Sequence, residues 1–375
     1  MNARRNTWRV AWRIGVCVLL LGWVFYAIFQ NEGRAVWERQ GGQWETLAWG
    51  ERWHFAWVQG SAALLGTLAL IRPGEGLLSL GFMGLTILLG ALRWHMVLRS
   101  QQIGARLPRV LEISMVAHFF NAFLLGSTGG DLFKAYYAAG ETHDRKAESV
   151  VSVVVDRLLG LLSMLVFAAV MMVPNHGLLL ANPRLGALAL VALGMLATLV
   201  IIGGLSFQGG LTRFWPGARD WLRRLPKGES LERALEALRW FGRQRVLLGK
   251  AFGLSMLLNV ACVLQIWALV RGLGLQVQPI VLFTIVPIII CLAALPITPS
   301  GLGVRENLYV VALAAPQIGV PATAALSLSL LAYAGSLFWS LVGGLVYVRF
   351  RRAHPRPRAV TDETGQSAAA EDRAP

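Results

Sequence analysis

Charge is scarce in this sequence: 15% of its 375 residues are Asp, Glu, Lys or Arg, against 55% that are hydrophobic. Soluble domains carry about 25% charged residues, so a fold with water on every face is excluded. Mean hydropathy is +0.56. Cysteine is nearly missing as well. Cys17, Cys262 and Cys291 all fall within apolar runs and share neither a disulfide framework nor a metal spacing, which reads as buried thiols acting as small hydrophobes. Acidic residues are the third shortage, 20 against 35 basic, for a net charge of +15. Such an excess can mark nucleic-acid binding, but no nucleic-acid motif accompanies it and no nucleic-acid partner is expected. Lys and Arg cluster instead at the ends of apolar runs, in the loop around 213–250 and after Arg349. That is the positive-inside pattern of a membrane protein, and it attracts anionic headgroups by about 1 kcal/mol per basic residue near the surface. Finally, His-Glu-x-x-His, Gly-x-Ser-x-Gly and Cys-x-x-Cys are all absent, which removes zinc-protease, hydrolase and dithiol chemistry. Neither a metal nor another cofactor is expected.

What is present is a succession of apolar runs, each long enough to cross a hydrocarbon core of about 30 Å, which takes roughly 20 helical residues. The fold class is therefore all-α: a polytopic α-helical membrane protein of about eight transmembrane helices with two broken or re-entrant segments. The expected membrane domain is 1–348, and 349–375, basic and then rich in Pro, Ala and acidic residues, reads as a disordered cytoplasmic tail. Arg4, Arg5, Arg9 and Arg13 precede a first span near Ile14–Phe29. No small-residue cleavage site follows, so that span is read as uncleaved with a cytoplasmic N-terminus. Residues 30–54 hold Trp37, Trp44, Trp49 and Trp53 and fit an outer interfacial segment.

A marginal run, 55–71, leads into a stronger one, Leu77–Leu98, flanked by Arg93, Arg99, Arg106 and Arg109. If both cross, the four arginines lie outside. If 55–71 lies on the surface, they lie inside, and the run 107–126 must enter and leave on the same side. The second reading is preferred, because charge bias and a glycine break both favour it. Further spans are expected at Ala147–Val173, Leu185–Phe207, Leu247–Val270 and Ala322–Val348, with a cytoplasmic loop over about 208–245. Both termini are then placed in the cytoplasm of a multi-pass protein of the cell membrane.

The two breaks carry the polar residues. At Gly126-Ser127-Thr128-Gly129-Gly130-Asp131 an apolar helix stops, and Lys134 follows in a short amphipathic piece. Backbone freed in this way is tolerated within a bilayer only where it is buried in protein or lines a wet cavity. Its N–H groups can cradle a phosphate at the start of the next helix. Asp131 then serves as an N-cap, with Lys134 supplying positive charge. Pro296-Ile297-Thr298-Pro299-Ser300-Gly301-Leu302-Gly303-Val304-Arg305-Glu306 repeats the interruption late in the chain. Two interrupted segments in the two halves are what a transporter built from internal repeats shows, although the halves share no visible identity. Here Arg305 could hold a phosphate bidentately, and Glu306 could balance it or bind a proton; the plainer reading is charges that reach to the interface.

Asp156 and Arg157 lie inside a span, where charge demands a partner or water. Neighbours on a helix do not face one another. Asp131 and Glu306 are therefore candidate partners for Arg157, and Lys134 or Arg305 for Asp156; a purely structural ion-pair network is the alternative. His118 and Asn121, one turn apart, read as a polar pair that hydrogen-bonds between helices.

In Asn121, Gly129-Gly130-Asp131 with Lys134, Asp156-Arg157, and Pro296 through Glu306, the chain resembles the transmembrane region of lysylphosphatidylglycerol synthases, a family of flippase-like membrane proteins. The resemblance spans about residues 10–348. It departs where the family commonly has Pro-Gly before Gly-Asp, Arg in place of Lys134, and Glu-Arg in place of Asp156-Arg157. The full synthases add a soluble aminoacyl-transfer domain; this chain looks like the flippase-like part alone, so synthase activity is not expected. The resemblance implies a protein that binds or flips an anionic phospholipid between leaflets. Asn121, Gly129, Gly130, Asp131, Lys134, Asp156, Arg157, Pro299, Gly301, Gly303, Arg305 and Glu306 are the substrate-contacting candidates, with no catalytic residues. The alternative is a membrane enzyme, or an enzyme's partner, acting on a lipid-linked sugar or polyprenyl phosphate. Membrane lipids are the expected partners, with a homo-oligomer or a membrane enzyme as further possibilities.

Overall fold

The computed structural model describes residues 40–62, 71–123, 129–140, 146–207, 244–295 and 304–353, with scattered positions between 26 and 69. Among them every regular element is a helix, and five are long and apolar enough to cross a membrane. The protein is thus a polytopic helical membrane protein. Its helices are α1 (Trp49–Phe55, continued by a π turn at Ala56–Gly60), α2 (Pro73–Ser100), α3 (Leu107–Phe123), α4 (Gly129–Gly140) and α5 (Lys146–Met172). The second half contains α6 (His176–Ala181), α7 (Pro183–Phe207), α8 (Arg245–Gly272), α9 (Pro279–Ala293), α10 (Val304–Leu313) and α11 (Ala322–Ala353). The spans expected at 77–98, 147–173, 185–207, 247–270 and 322–348 thus appear with small shifts, while the first expected span, near Ile14–Phe29, and the loop expected over 208–245 fall almost wholly outside the described residues. The last helix runs past Val348 into the arginines assigned to the tail, and α6 occupies a stretch read as loop.

Local chemistry sets the ends. Pro73 and Pro279 open α2 and α9, where a missing N–H costs nothing. Asn182 caps α7, its Oδ1 accepting from the backbone N–H of Arg184 at 3.0 Å and of Leu185 at 3.4 Å. Past the end of α8, Gly274 takes φ +70°, so that the N–H of Leu275 reaches the carbonyl of Val270 at 3.0 Å. That left-handed residue is the usual helix stop, and glycine adopts it without a Cβ penalty.

The long pair α2 and α8 forms the spine and runs antiparallel. At one end the N–H of Arg72 bonds to Gly272 O at 3.2 Å, and Glu75 pairs with Arg271 at 3.2 Å. Toward the other end Arg93 donates to Ser255 Oγ at 3.0 Å. The C-terminal end of α2, with Arg99, therefore lies at the same end of the bundle as the starts of α5 and α8.

Around this spine stand two helical hairpins entering from opposite ends. In the first, α3 runs inward and α4 returns, so that Val110 and Ile113 near the start of α3 share a cluster with Ala138 near the end of α4 and with Trp94, Leu98 and Ile103. Both hairpin ends thus lie at the arginine-rich end of α2, where Arg106 and Arg109 also fall. In the second, α9 starts beside the end of α5: Asn175 Nδ2 donates to Ile280 O at 3.0 Å and to Thr284 Oγ1 at 2.7 Å. The chain leaving α10 comes back to that end, where Asn182 Nδ2 donates to Gln317 Oε1 at 3.1 Å. Of the two breaks, residues 126–128 of the first and 296–303 of the second lie outside the described residues, while Gly129, Gly130 and Asp131 form the first turn of α4.

Close approach holds the first hairpin in place. A Cβ at Gly130 would fall 2.0 Å from Ala117 O, so only glycine lets α4 start against α3. A Cβ at Gly343 would meet Met115 O at 2.2 Å, which brings α11 equally near to the other side of α3. Small residues at helix contacts are how membrane helices gain packing where the hydrophobic effect offers none. Large apolar side chains such as Leu77, Leu190, Val200 and Leu345 stay exposed on the outside, as a lipid-facing surface requires.

Candidate functional site

The first hairpin brings α4 against α5 and α2, and there the intramembrane charges meet. Asp156, ten residues into α5, accepts from Lys134 Nζ on α4 at 2.7 Å and from Arg93 Nε on α2 at 2.8 Å. All three are buried: Asp156 is 6% exposed and the two cations 8% each. A carboxylate so desolvated stays ionised only with such partners. The arrangement has further support. Lys134 Nζ lies 4.2 Å from the centre of a Trp94 ring, a cation–π contact, and Trp94 Nε1 donates to Ser152 Oγ at 3.2 Å. Gly160 leaves room for the Arg93 guanidinium, since a Cβ there would lie 3.0 Å from its nearest nitrogen.

Next to this triad Arg157 Nη1 meets Asp131 Oδ2 at 3.0 Å. Asp131 is not the N-cap of α4, because the helix already begins at Gly129; it sits in the first turn and turns its carboxylate to α5. The cap-like contact is made from outside, by Asn121 of α3, whose Oδ1 accepts from the N–H of Gly130 at 2.7 Å. His118, one turn earlier, donates Nε2–H to Ser336 O of α11 at 3.3 Å. Both residues of the polar pair therefore make contacts between helices.

The second hairpin places its charges differently. Arg305 Nη2 donates to Glu306 Oε1 at 2.9 Å, so the two neighbours pair with each other rather than with Asp156 and Arg157. Sequence reasoning named Glu306 as a candidate partner for Arg157 and Arg305 for Asp156, and applied the rule that adjacent helix positions diverge to Asp156 and Arg157 alone. At the first turn of α10 the long arginine side chain folds back over that divergence. The guanidinium also lies 4.6 Å from the Tyr333 ring and donates Nε–H to Ser329 Oγ at 3.3 Å, both on α11. Pro299, Gly301 and Gly303 lie outside the described residues.

Arg93 is the residue that sequence reasoning misplaced. Grouped with Arg99, Arg106 and Arg109 as a flank, it proves to be a buried ligand of Asp156 with a second contact to Ser255 on α8. The available signal was its setting, Leu92 before and Trp94 after, within an apolar run: the rule applied to Asp156 and Arg157 applied here too. Cys262 and Cys291 are free thiols within the helices, and Cys17 lies outside the described residues. Among the described residues no group of three or more His, Cys, Asp or Glu side chains could hold a metal ion.

Two oppositely inserted helix pairs, each carrying ionisable side chains near the start of its second helix, define a class of helical membrane protein with charge buried inside the bundle. Within that class the family follows from comparison: the model of the lysylphosphatidylglycerol synthase transmembrane region matches residues 52–344, and the chain belongs to that family. No curated protein matches the sequence.

Proposed function

We propose that this protein binds an anionic phospholipid headgroup at the two hairpins and carries it between the leaflets of the cell membrane, both chain termini lying in the cytoplasm. One observation carries the reading. At the first hairpin three cations, Arg93, Lys134 and Arg157, stand against two carboxylates, Asp131 and Asp156. Among these described side chains cations outnumber carboxylates by one where charge is costly, which favours the phosphate of a lipid as a further anion. Arg157, 40% exposed at its side chain, is the cation placed to accept it, while the Asp156 pairs hold Arg93 and Lys134 in position. Arg305 offers a second guanidinium for the same headgroup at the other hairpin. The acyl chains remain in lipid throughout. No soluble aminoacyl-transfer step is assigned to this chain.

Reconstitution into vesicles containing fluorescent phosphatidylglycerol, followed by a membrane-impermeant quencher, tests the transport step. The wild-type chain is expected to move the label to the accessible leaflet, and both Arg157→Gln and Arg305→Gln to abolish this while remaining folded. Unchanged transport in both variants contradicts the reading.

A further inference from the structure

Helix α8 holds a buried polar side chain that is used by neither hairpin. Asn259 lies midway along α8, is 1% exposed, and its Nδ2 has no hydrogen-bond partner among the described residues. A buried amide donor left unmade is costly, and intramembrane polar groups of this kind mark substrate paths.

Its neighbours on α8 give it a direction. One turn earlier stands Ser255, which accepts from Arg93 of the first cluster. One turn later stands Cys262, packed against the core cluster that includes Tyr309 of α10, and Tyr309 lies one turn after Arg305 of the second cluster. Positions 255, 259 and 262 share one helix face. Asn259 therefore sits on the strip of α8 that begins at one charge cluster and ends beside the other. The cations at both ends, Arg93 and Arg305, are donors without acceptor capacity. A group that satisfies Nδ2 between them must be an acceptor, and the excess positive charge favours an oxyanion.

We infer that Asn259 is a contact for phosphate oxygens, holding an anionic headgroup at mid-bundle between the two clusters. This rests on the proposed function and adds to it a residue on a third element and the chemical group that is read. The shared chemistry, a phosphate oxyanion, can come from a lipid or from free phosphate.

Native mass spectrometry of the full-length protein, titrated with phosphatidylglycerol or phosphatidylcholine, tests the inference. The wild-type chain is expected to retain phosphatidylglycerol in preference to phosphatidylcholine. Asn259→Leu, close in volume and without the donor, is expected to weaken that retention by roughly tenfold. Its thermal unfolding should be unchanged or raised, because no hydrogen bond is broken. Asn259→Asp exchanges Nδ2 for an acceptor of the same size and is expected to weaken retention further. Displacement of phosphatidylglycerol by inorganic phosphate supports a site that reads the phosphate alone, and undiminished retention supports one that needs the lipid. Undiminished phosphatidylglycerol retention in both variants overturns the role of Asn259 and leaves the proposed function standing. Loss of thermal stability in both marks the residue as structural and also overturns it, and a wild-type chain without preference overturns both readings.

Discussion

The two hairpins solve the same problem of charge inside a membrane in different ways. In the first, the ion pairs among the described residues link separate elements: α4 to α5 through Lys134–Asp156 and Asp131–Arg157, and α2 to α5 through Arg93–Asp156. In the second, Arg305 and Glu306 pair within a single turn, and the guanidinium also reaches Ser329 and Tyr333 on α11. The first hairpin is thereby tied to the bundle by its charges and keeps one cation in excess. The second arrives already balanced. A pair that links helices makes folding and site geometry one quantity, whereas a pair within one turn can be removed with little consequence elsewhere.

That difference predicts an order of effects. The largest belongs to Asp156→Asn, which leaves two cations buried against each other and is expected to lower stability by about 3–5 kcal/mol, read as thermal unfolding in detergent. Adding Lys134→Met should recover only part of the loss, because Arg93 still faces the neutral amide. Full recovery would break the comparison by showing that Asp156 serves Lys134 alone. An intermediate effect is expected from Gly130→Ala, whose methyl must push α4 away from Ala117 O, costing about 1–3 kcal/mol. Here the same unfolding curve should be accompanied by weaker lipid retention, since Asp131 and Lys134 move with the helix. The smallest effect is expected at the second hairpin. Glu306→Gln should cost about 1.5 kcal/mol, and the double change Arg305→Gln with Glu306→Gln should restore most of it. A double variant as unstable as Asp156→Asn would show that the second pair also ties helices together.

Much of this was legible in the sequence, and the parts that were not share a cause. Apolar runs and their Pro and Gly ends announce the helices, because span length and helix termination are local properties. The charges Asp131, Lys134, Asp156 and Arg157 were visible for the same reason: each violates a local rule. Which charge meets which was only narrowed. Lys134 for Asp156 and Asp131 for Arg157 were among the candidates, but the choice depends on how α4 is seated against α3, and that is set by Gly130 meeting Ala117, a contact between segments. Arg93 was missed because nearby arginines made it look like a flank, although it lies on α2 within reach of α5. The register of α2 against α8, which brings Arg93 to Ser255, has no local signature at all, and neither has the lack of a partner for Asn259 Nδ2 among the described residues.

The most direct test of an anion-receiving site at the hairpins is mass spectrometry of the lipids that co-purify with the full-length protein, compared with the Arg157→Gln, Arg305→Gln double variant. Selective enrichment of one anionic lipid in the wild type, lost in the variant, is the predicted result. The same bulk-like lipid mixture in both would contradict it and leave the buried charges as structural ties.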